Sequence, residues 1–231
     1  DGDMDLFQGN DHQKNFMFRN DSKLVFREVA VESGVAVNDR GQATGSMHGS
    51  IGDIDGDGLI DLLVTDLKYG ALYRNLGNGI YEDITRRSGI ADHFFGKGQW
   101  AAILFDYDND GDLDIFTANG TAEELKLQLP LLLENDGNGN FKNVGPKVSP
   151  YYQEKRSGRG AAVVDFDNDG WLDIIVSHID LKATPALLRN IGYWNYWLGV
   201  SLIGKDGPSS AVSALVTVVT KNKTQVLVNQ P

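Results

Sequence analysis

The chain has 231 residues, with 21 Lys and Arg against 32 Asp and Glu, a formal charge of −11, and no cysteine. That balance argues against a nucleic-acid backbone as partner, and the lack of thiols excludes disulfide scaffolds, cysteine-based zinc sites, iron–sulfur clusters and thiol catalysis. A 41% hydrophobic content is enough for a buried core, 27 glycines point to short strands joined by tight turns, and no apolar run reaches the roughly 20 residues of a bilayer span.

In chain order, the opening Asp1-Gly-Asp3-Met-Asp5-Leu6 reads as the second half of an acidic pattern, and a short apolar run then ends at Arg19-Asn20. The full pattern first stands at Asp53-Ile-Asp55-Gly-Asp57-Gly58-Leu59-Ile-Asp61. A β-prone run, Leu62 to Thr65, follows it, then Ala71 to Asn75, a turn at Asn78-Gly79, and Ile80 to Ile84. Asn-Gly between apolar runs is a strong hairpin signal. The series repeats as Gly98 to Phe105, the loop Asp106-Tyr-Asp108-Asn-Asp110-Gly111-Asp112-Leu-Asp114, Ile115 to Thr117, Glu134-Asn135, Asn138-Gly139, and Asn140 to Val144. A third copy runs from Gly160 to Phe166, through Asp165-Phe-Asp167-Asn-Asp169-Gly170-Trp171-Leu-Asp173, to Ile174–Ser177 and Ala186–Asn190.

These copies and the opening fragment hold half of the 32 acidic residues, so the charge belongs to sites rather than to the surface at large. The landmarks at Asn20, Asn75, Asn135 and Asn190 are spaced by 55, 60 and 55 residues. Four short antiparallel strands at such a period are the arithmetic of a β-propeller blade. The expected class is therefore all-β, with propeller blades over residues 1–191. After Asn190 the pattern breaks into an aromatic stretch ending at Trp197, and a second, small β unit is expected over 192–231. Its apolar runs are Leu198 to Ile203, Ala211 to Thr220 and Thr224 to Val228.

Carboxylates at the first, third and fifth loop positions, with Gly at the sixth, wrap oxygen ligands around one hard cation, and Ca²⁺ suits six to eight such oxygens. The expected ligands are Asp53, Asp55, Asp57 and Asp61; Asp106, Asp108, Asp110 and Asp114; and Asp165, Asp167, Asp169 and Asp173. By analogy with related loops, Leu59, Asp112 and Trp171 at the seventh position contribute backbone carbonyls. An EF-hand would need Glu at position twelve, where Val64, Thr117 and Val176 stand. Without a cation, each carboxylate pair at ~4 Å would cost about 4 kcal/mol at an effective dielectric near 20. About three Ca²⁺ are expected, with the fragment at Asp1, Asp3 and Asp5 incomplete.

Other candidates carry less. His48 and His178 fall at comparable points of different blades and read as structural histidines. Trp194, Tyr196 and Trp197 could stack on a sugar but read first as filling a domain junction. Lys155, Arg156 and Arg159 read as a solvated basic loop. Asn20, Asn119 and Asn222 open glycosylation sequons. No nucleophile elbow, phosphate loop or dinucleotide fingerprint is present, so no catalytic residue is assigned.

The segment from Gly158 to Ile174, with its counterparts around Asp53 and Asp106, resembles the FG-GAP or VCBS repeats of integrin-α-like seven-bladed propellers. Asn195 to Leu198, Val212 to Thr217 and Thr224-Gln225 are similar to the start of an ASPIC/UnbV domain, although its usual Ile-Gly-Ala appears here as Val212-Ser213-Ala214. That pairing resembles the cartilage acidic protein family. The resemblance implies a secreted calcium-stabilised scaffold, extracellular, periplasmic or at the cell surface, whose faces bind a protein or glycan. At about 55 residues per blade, seven blades need about 385 residues. Two alternatives remain: a carbohydrate-active enzyme of polysaccharide lyase or sugar dehydratase type, with His48, His178 or Lys155 as acid or base, and a structural subunit of an extracellular filament, surface layer or membrane-associated complex.

Overall fold

The computed structural model describes residues 4–121, 126–179, 184–192, 195–205, 211–221 and 223–229. Asp1 and Asp3 of the partial loop, Trp194 and Asn222 lie outside them. The fold is all-β, apart from three helices of four or five residues and one 3-10 turn among the described residues. An opening sheet joins β1 (Leu6–Gln8), β3 (Phe16–Asn20) and β4 (Phe26–Glu28), while β2 (Asp11–Gln13) pairs with β5 (Thr44–Gly45).

The first full blade is β6 (Gly49–Gly52), β7 (Asp61–Val64), β8 (Ala71–Asn75) and β9 (Tyr81–Asp83), antiparallel and in sequence order. The second repeats it as β10 (Gln99–Phe105), β11 (Asp114–Asn119), β12 (Leu131–Asn135) and β13 (Phe141–Asn143). In the third, β14 (Gly158–Val164), β15 (Asp173–His178) and β16 (Ala186–Leu188) pair without a fourth strand among the described residues. Four strands per repeat was the expectation. Where the first two blades turn back through Gly77-Asn-Gly79 and Gly137-Asn-Gly139, the third reads Gly192-Tyr-Trp after Asn190 and lacks that hairpin signal.

The pleat decides which neighbour each side chain meets. Along β11, Ile115 packs toward the first blade with Ile54, Leu63 and Leu72, whereas Phe116 packs toward the third with Ile174 and Val176. Both faces of this strand are therefore covered, and β7 and β11 are buried from end to end. That is why the second strand of the first two blades reads as an unbroken apolar run rather than an alternating one. The first blade meets the opening sheet through Leu62, Val64 and Tyr73 against Phe7 and Met17. The outward face of the third blade, carrying Val164, Ile175 and Leu187, is exposed. Their register equivalents in the second blade, Phe105, Phe116 and Leu132, are buried.

Beyond residue 192 a hairpin of β17 (Leu215–Val219) and β18 (Thr224–Val228) forms, as the β-prone runs there suggested. Leu198 to Ile203, one of the three apolar runs from which this β unit was expected, is in no strand. Its apolar side chains, such as Leu198 and Ile203, stay exposed instead of finding a sheet.

Candidate metal centres

Each acidic loop links the first strand of a blade to its second, and the chain turns by entering the left-handed region twice. The fourth position does so at Gly56, Asn109 and Asn168 and the sixth at Gly58, Gly111 and Gly170, with φ between 55° and 92°. Gly and Asn are the residues that tolerate this region, which explains the loop's fixed punctuation. The first-position carboxylate then accepts the sixth-position amide, Gly58 N to Asp53 Oδ2 at 3.0 Å, Gly111 N to Asp106 Oδ2 at 2.8 Å and Gly170 N to Asp165 Oδ2 at 2.9 Å. The fifth-position carboxylate accepts the seventh-position amide at 2.8–3.0 Å in all three loops.

The ninth-position aspartates lie deepest. Asp61, Asp114 and Asp173 are buried, and each spends both oxygens on backbone donors. One accepts the amide of the loop's second residue (Ile54, Tyr107, Phe166) and the other the amide of the landmark asparagine, Asn75, Asn135 or Asn190, at 2.7–2.9 Å. Asp5 accepts Asn20 N at 2.8 Å in the same way, so the opening fragment keeps this part of the repeat.

Carboxylate oxygens within 4.8 Å of one another come from Asp53, Asp55 and Asp57 in the first loop, Asp106, Asp108 and Asp114 in the second, and Asp165, Asp167 and Asp173 in the third. Asp61, Asp110 and Asp169 stand outside these groups. Asp112 faces the C-terminal hairpin, where the Lys223 ammonium meets its carboxylate at 2.5 Å and donates to the Asp110 carbonyl at 3.0 Å. Leu59 and Trp171 lie against Gly77 and Gly192, the glycines of equivalent turns. Gly192 N bonds Asn190 Oδ1 at 3.1 Å, matching Gly77 on Asn75 and Gly137 on Asn135, so the repeat's geometry extends through residue 192.

The donor set is carboxylate throughout and fits a hard divalent cation. In the first loop Asp53 is only 8% exposed, and its Oδ1 is buried with no hydrogen-bond partner. An orphaned buried carboxylate oxygen is costly without a cation. Burial, reinforced by the neighbouring carboxylates, pushes Asp114 up to about 8, Asp61 to about 7, and Asp106 and Asp108 to about 6, against the backbone bonds that pull the other way. With folded values above the unfolded 3.8, the cation-free protein is most stable when these groups keep their protons and loses stability as pH rises from about 4 through about 8. Thermal melts of chelator-stripped protein are expected to give a higher Tm at pH 6 than at pH 8, by several degrees. Calcium-loaded protein should reverse the order, because protons compete with the cation. A stripped protein that melts higher at pH 8 would contradict this.

Sequence reasoning marked the asparagines as landmarks and missed their work. Asn135 Nδ2 donates to Ile54 O of the preceding blade's loop at 2.8 Å, and Asn190 Nδ2 to Tyr107 O at 2.7 Å, tying each blade to the loop before it. Their recurrence in phase with the acidic loops was the available signal. His178 bonds Tyr151 Oη at 3.0 Å and the Thr184 carbonyl at 3.1 Å, a satisfied structural histidine. His48 borders a hollow of about 340 Å³ with Phe7, Met47 and Leu62. Arg159 departs from the solvated-loop expectation: it stacks on Trp100 at 4.2 Å and donates to Thr121 O at 2.8 Å. Arg156 stacks on Tyr151 and pairs with Glu154. Trp197 packs on Gly170 of the third loop, while Tyr196 is exposed. Asn20 and Asn119 are buried in strands, which removes their sequons as modification sites in the folded chain.

A profile of the family described as FG-GAP-like repeat matches residues 1–64, 53–117 and 120–176, each match closing within or at the end of the second strand of a blade. Cartilage acidic protein 1 of Mus musculus is 27% identical over 210 residues, covering 85% of this chain and 30% of that protein. The Homo sapiens protein of that name is 29% identical over 166 residues (71% and 23%), and the Xenopus tropicalis one 28% over 226 residues (94% and 33%). The chain thus spans between about a quarter and a third of the length of these relatives. Among solved structures, an Agrocybe aegerita lectin described for its recognition of non-reducing terminal N-acetylglucosamine gives a TM-score of 0.41 at 22% identity, covering 83% of this chain and 50% of that one. Among the described residues no helix is long and apolar enough to cross a membrane.

Proposed function

This chain belongs to the FG-GAP-like repeat family, and from that premise we propose that it is a calcium-stabilised propeller scaffold of an extracellular, periplasmic or cell-surface protein. Its faces bind a protein or glycan partner. The observation that carries the calcium reading is the convergence of three carboxylate sets, with the buried Asp53 Oδ1 left unsatisfied in the first. Loops of this type are filled where free calcium is plentiful, which favours an address outside the cytosol, as does the similarity to proteins named for cartilage.

The proposed role of the cation is structural. Carboxylates, with a seventh-position carbonyl in this reading, would enclose it, and that would leave little room for a substrate to coordinate. The chain divides, in this reading, into blades over residues 1–191 and the start of an ASPIC/UnbV-like unit over 192–231. The exposed face of Val164, Ile175 and Leu187 suits a further blade of a longer propeller. Calorimetric titration of chelator-stripped protein is expected to find about three Ca²⁺ per chain. Absence of binding, or a preference for Zn²⁺ over Ca²⁺, would overturn the reading.

A further inference from the structure

We infer that the three loops are graded in calcium affinity, the middle one being the tight site and the outer two being held back by their own arginines; the inference rests on the calcium reading above. The residue before the landmark asparagine is Arg74 in the first blade, Glu134 in the second and Arg189 in the third. Arg74 contacts both Asp55 and Asp57, the latter at 3.0 Å. Arg189 contacts Asp167 at 2.7 Å and Asp169 at 3.6 Å. These are the third and fifth positions, so in both loops a guanidinium holds oxygens that a cation needs and repels the cation as well.

Glu134 does neither. It accepts from Tyr107 Oη at 2.9 Å and pairs with Lys142 at 3.3 Å, so it brings no positive charge to the loop's carboxylates. Lys223 does not replace the arginine, because it forms a neutral pair with Asp112, whose side chain is outside the ligand set. Among the described residues, Asp106, Asp108, Asp110 and Asp114 therefore have no ion-pair partner. Beside the first loop, a hollow of about 430 Å³ lined by Arg74, Arg87, Asn138 and Asn140 gives the Arg74 side chain room to swing aside when a cation enters. A unit charge near 4 Å changes affinity by orders of magnitude before screening; because both arginines are partly exposed, the expected gap is about tenfold.

Hydrogen exchange of the full chain, followed for peptides spanning 53–61, 106–114 and 165–173 against free calcium, reads each loop separately. The middle loop is expected to become protected at about tenfold lower calcium than the other two. Arg74→Met and Arg189→Met should each lower the midpoint of their own loop alone. Glu134→Arg should raise the midpoint of the middle loop, with Glu134→Gln as the milder variant should the first not fold. Three coincident midpoints, or an Arg74→Met loop that needs more calcium, would overturn the grading and leave the calcium reading standing. No response to calcium in any loop would overturn both.

Discussion

Stripping calcium should lower the melting temperature by about 15 °C or more. A ligand that binds only the folded state stabilises it by about 2.7 kcal/mol per site when its free concentration is a hundred times Kd. With Kd near 0.1 mM, within the range of extracellular modules, 10 mM calcium meets that condition. Three such sites contribute about 8 kcal/mol, and a chain of this size shifts by roughly 2–4 °C per kcal/mol. The effect is distributed across the molecule, because each loop joins the first two strands of its blade, and in the first two loops the second residue accepts a bond from the next blade's asparagine. Differential scanning calorimetry with and without calcium measures it. A melt that moves by less than about 3 °C would mean that the loops are not structural calcium sites.

The acidic loops were legible in the sequence because everything they need is local. Nine consecutive residues supply the carboxylates, the two left-handed positions and the backbone bonds between them. The strands of the first two blades were legible for a related reason. Two covered faces produce plain apolar runs such as Leu62 to Val64, and turn residues bound them. The three helices escaped notice because four or five residues, as in Ile90 to Phe94, are too short to show a 3.6-residue period.

What stayed hidden depends on partners far away in sequence. Asp112 breaks the Leu59 and Trp171 pattern at the seventh position, and only the folded chain shows Lys223 meeting it from the C-terminal hairpin. Arg159 reads as part of a basic loop until the start of β14 lies beside β10 and brings Trp100 beneath its guanidinium. The contrast between Arg74, Arg189 and Glu134 was visible as a difference of letters. Its electrostatic meaning appears once β8, β12 and the residue after β16 have brought those side chains to the loops. Leu198 to Ile203 shows the converse: β propensity without a neighbouring strand leaves no sheet.

Two single substitutions in the middle loop are expected to separate its architectural role from its cation role. Asp114→Ala leaves the amides of Asn135 and Tyr107 without their acceptor. Stranding buried donors costs about 1–3 kcal/mol each, so the variant should lose about 3 kcal/mol even in chelator, and more in calcium. Asp108→Ala strands little, since the bond its carboxylate accepts from Asp110 N is a long one of 3.3 Å, and that amide also donates to Asp106 Oδ1 at 3.1 Å. In chelator it should be neutral or slightly stabilising, because it removes a carboxylate whose charge is disfavoured by burial and by Asp110. In calcium it should lose one site's worth, about 2–3 kcal/mol. Asp92→Ala, in the short helix outside any loop, should change neither measurement. Denaturant unfolding of the three variants in both conditions provides the comparison. If Asp108→Ala destabilised the chain equally with and without calcium, that carboxylate would be part of the framework rather than a ligand, and the division of labour between the third and ninth positions would fail.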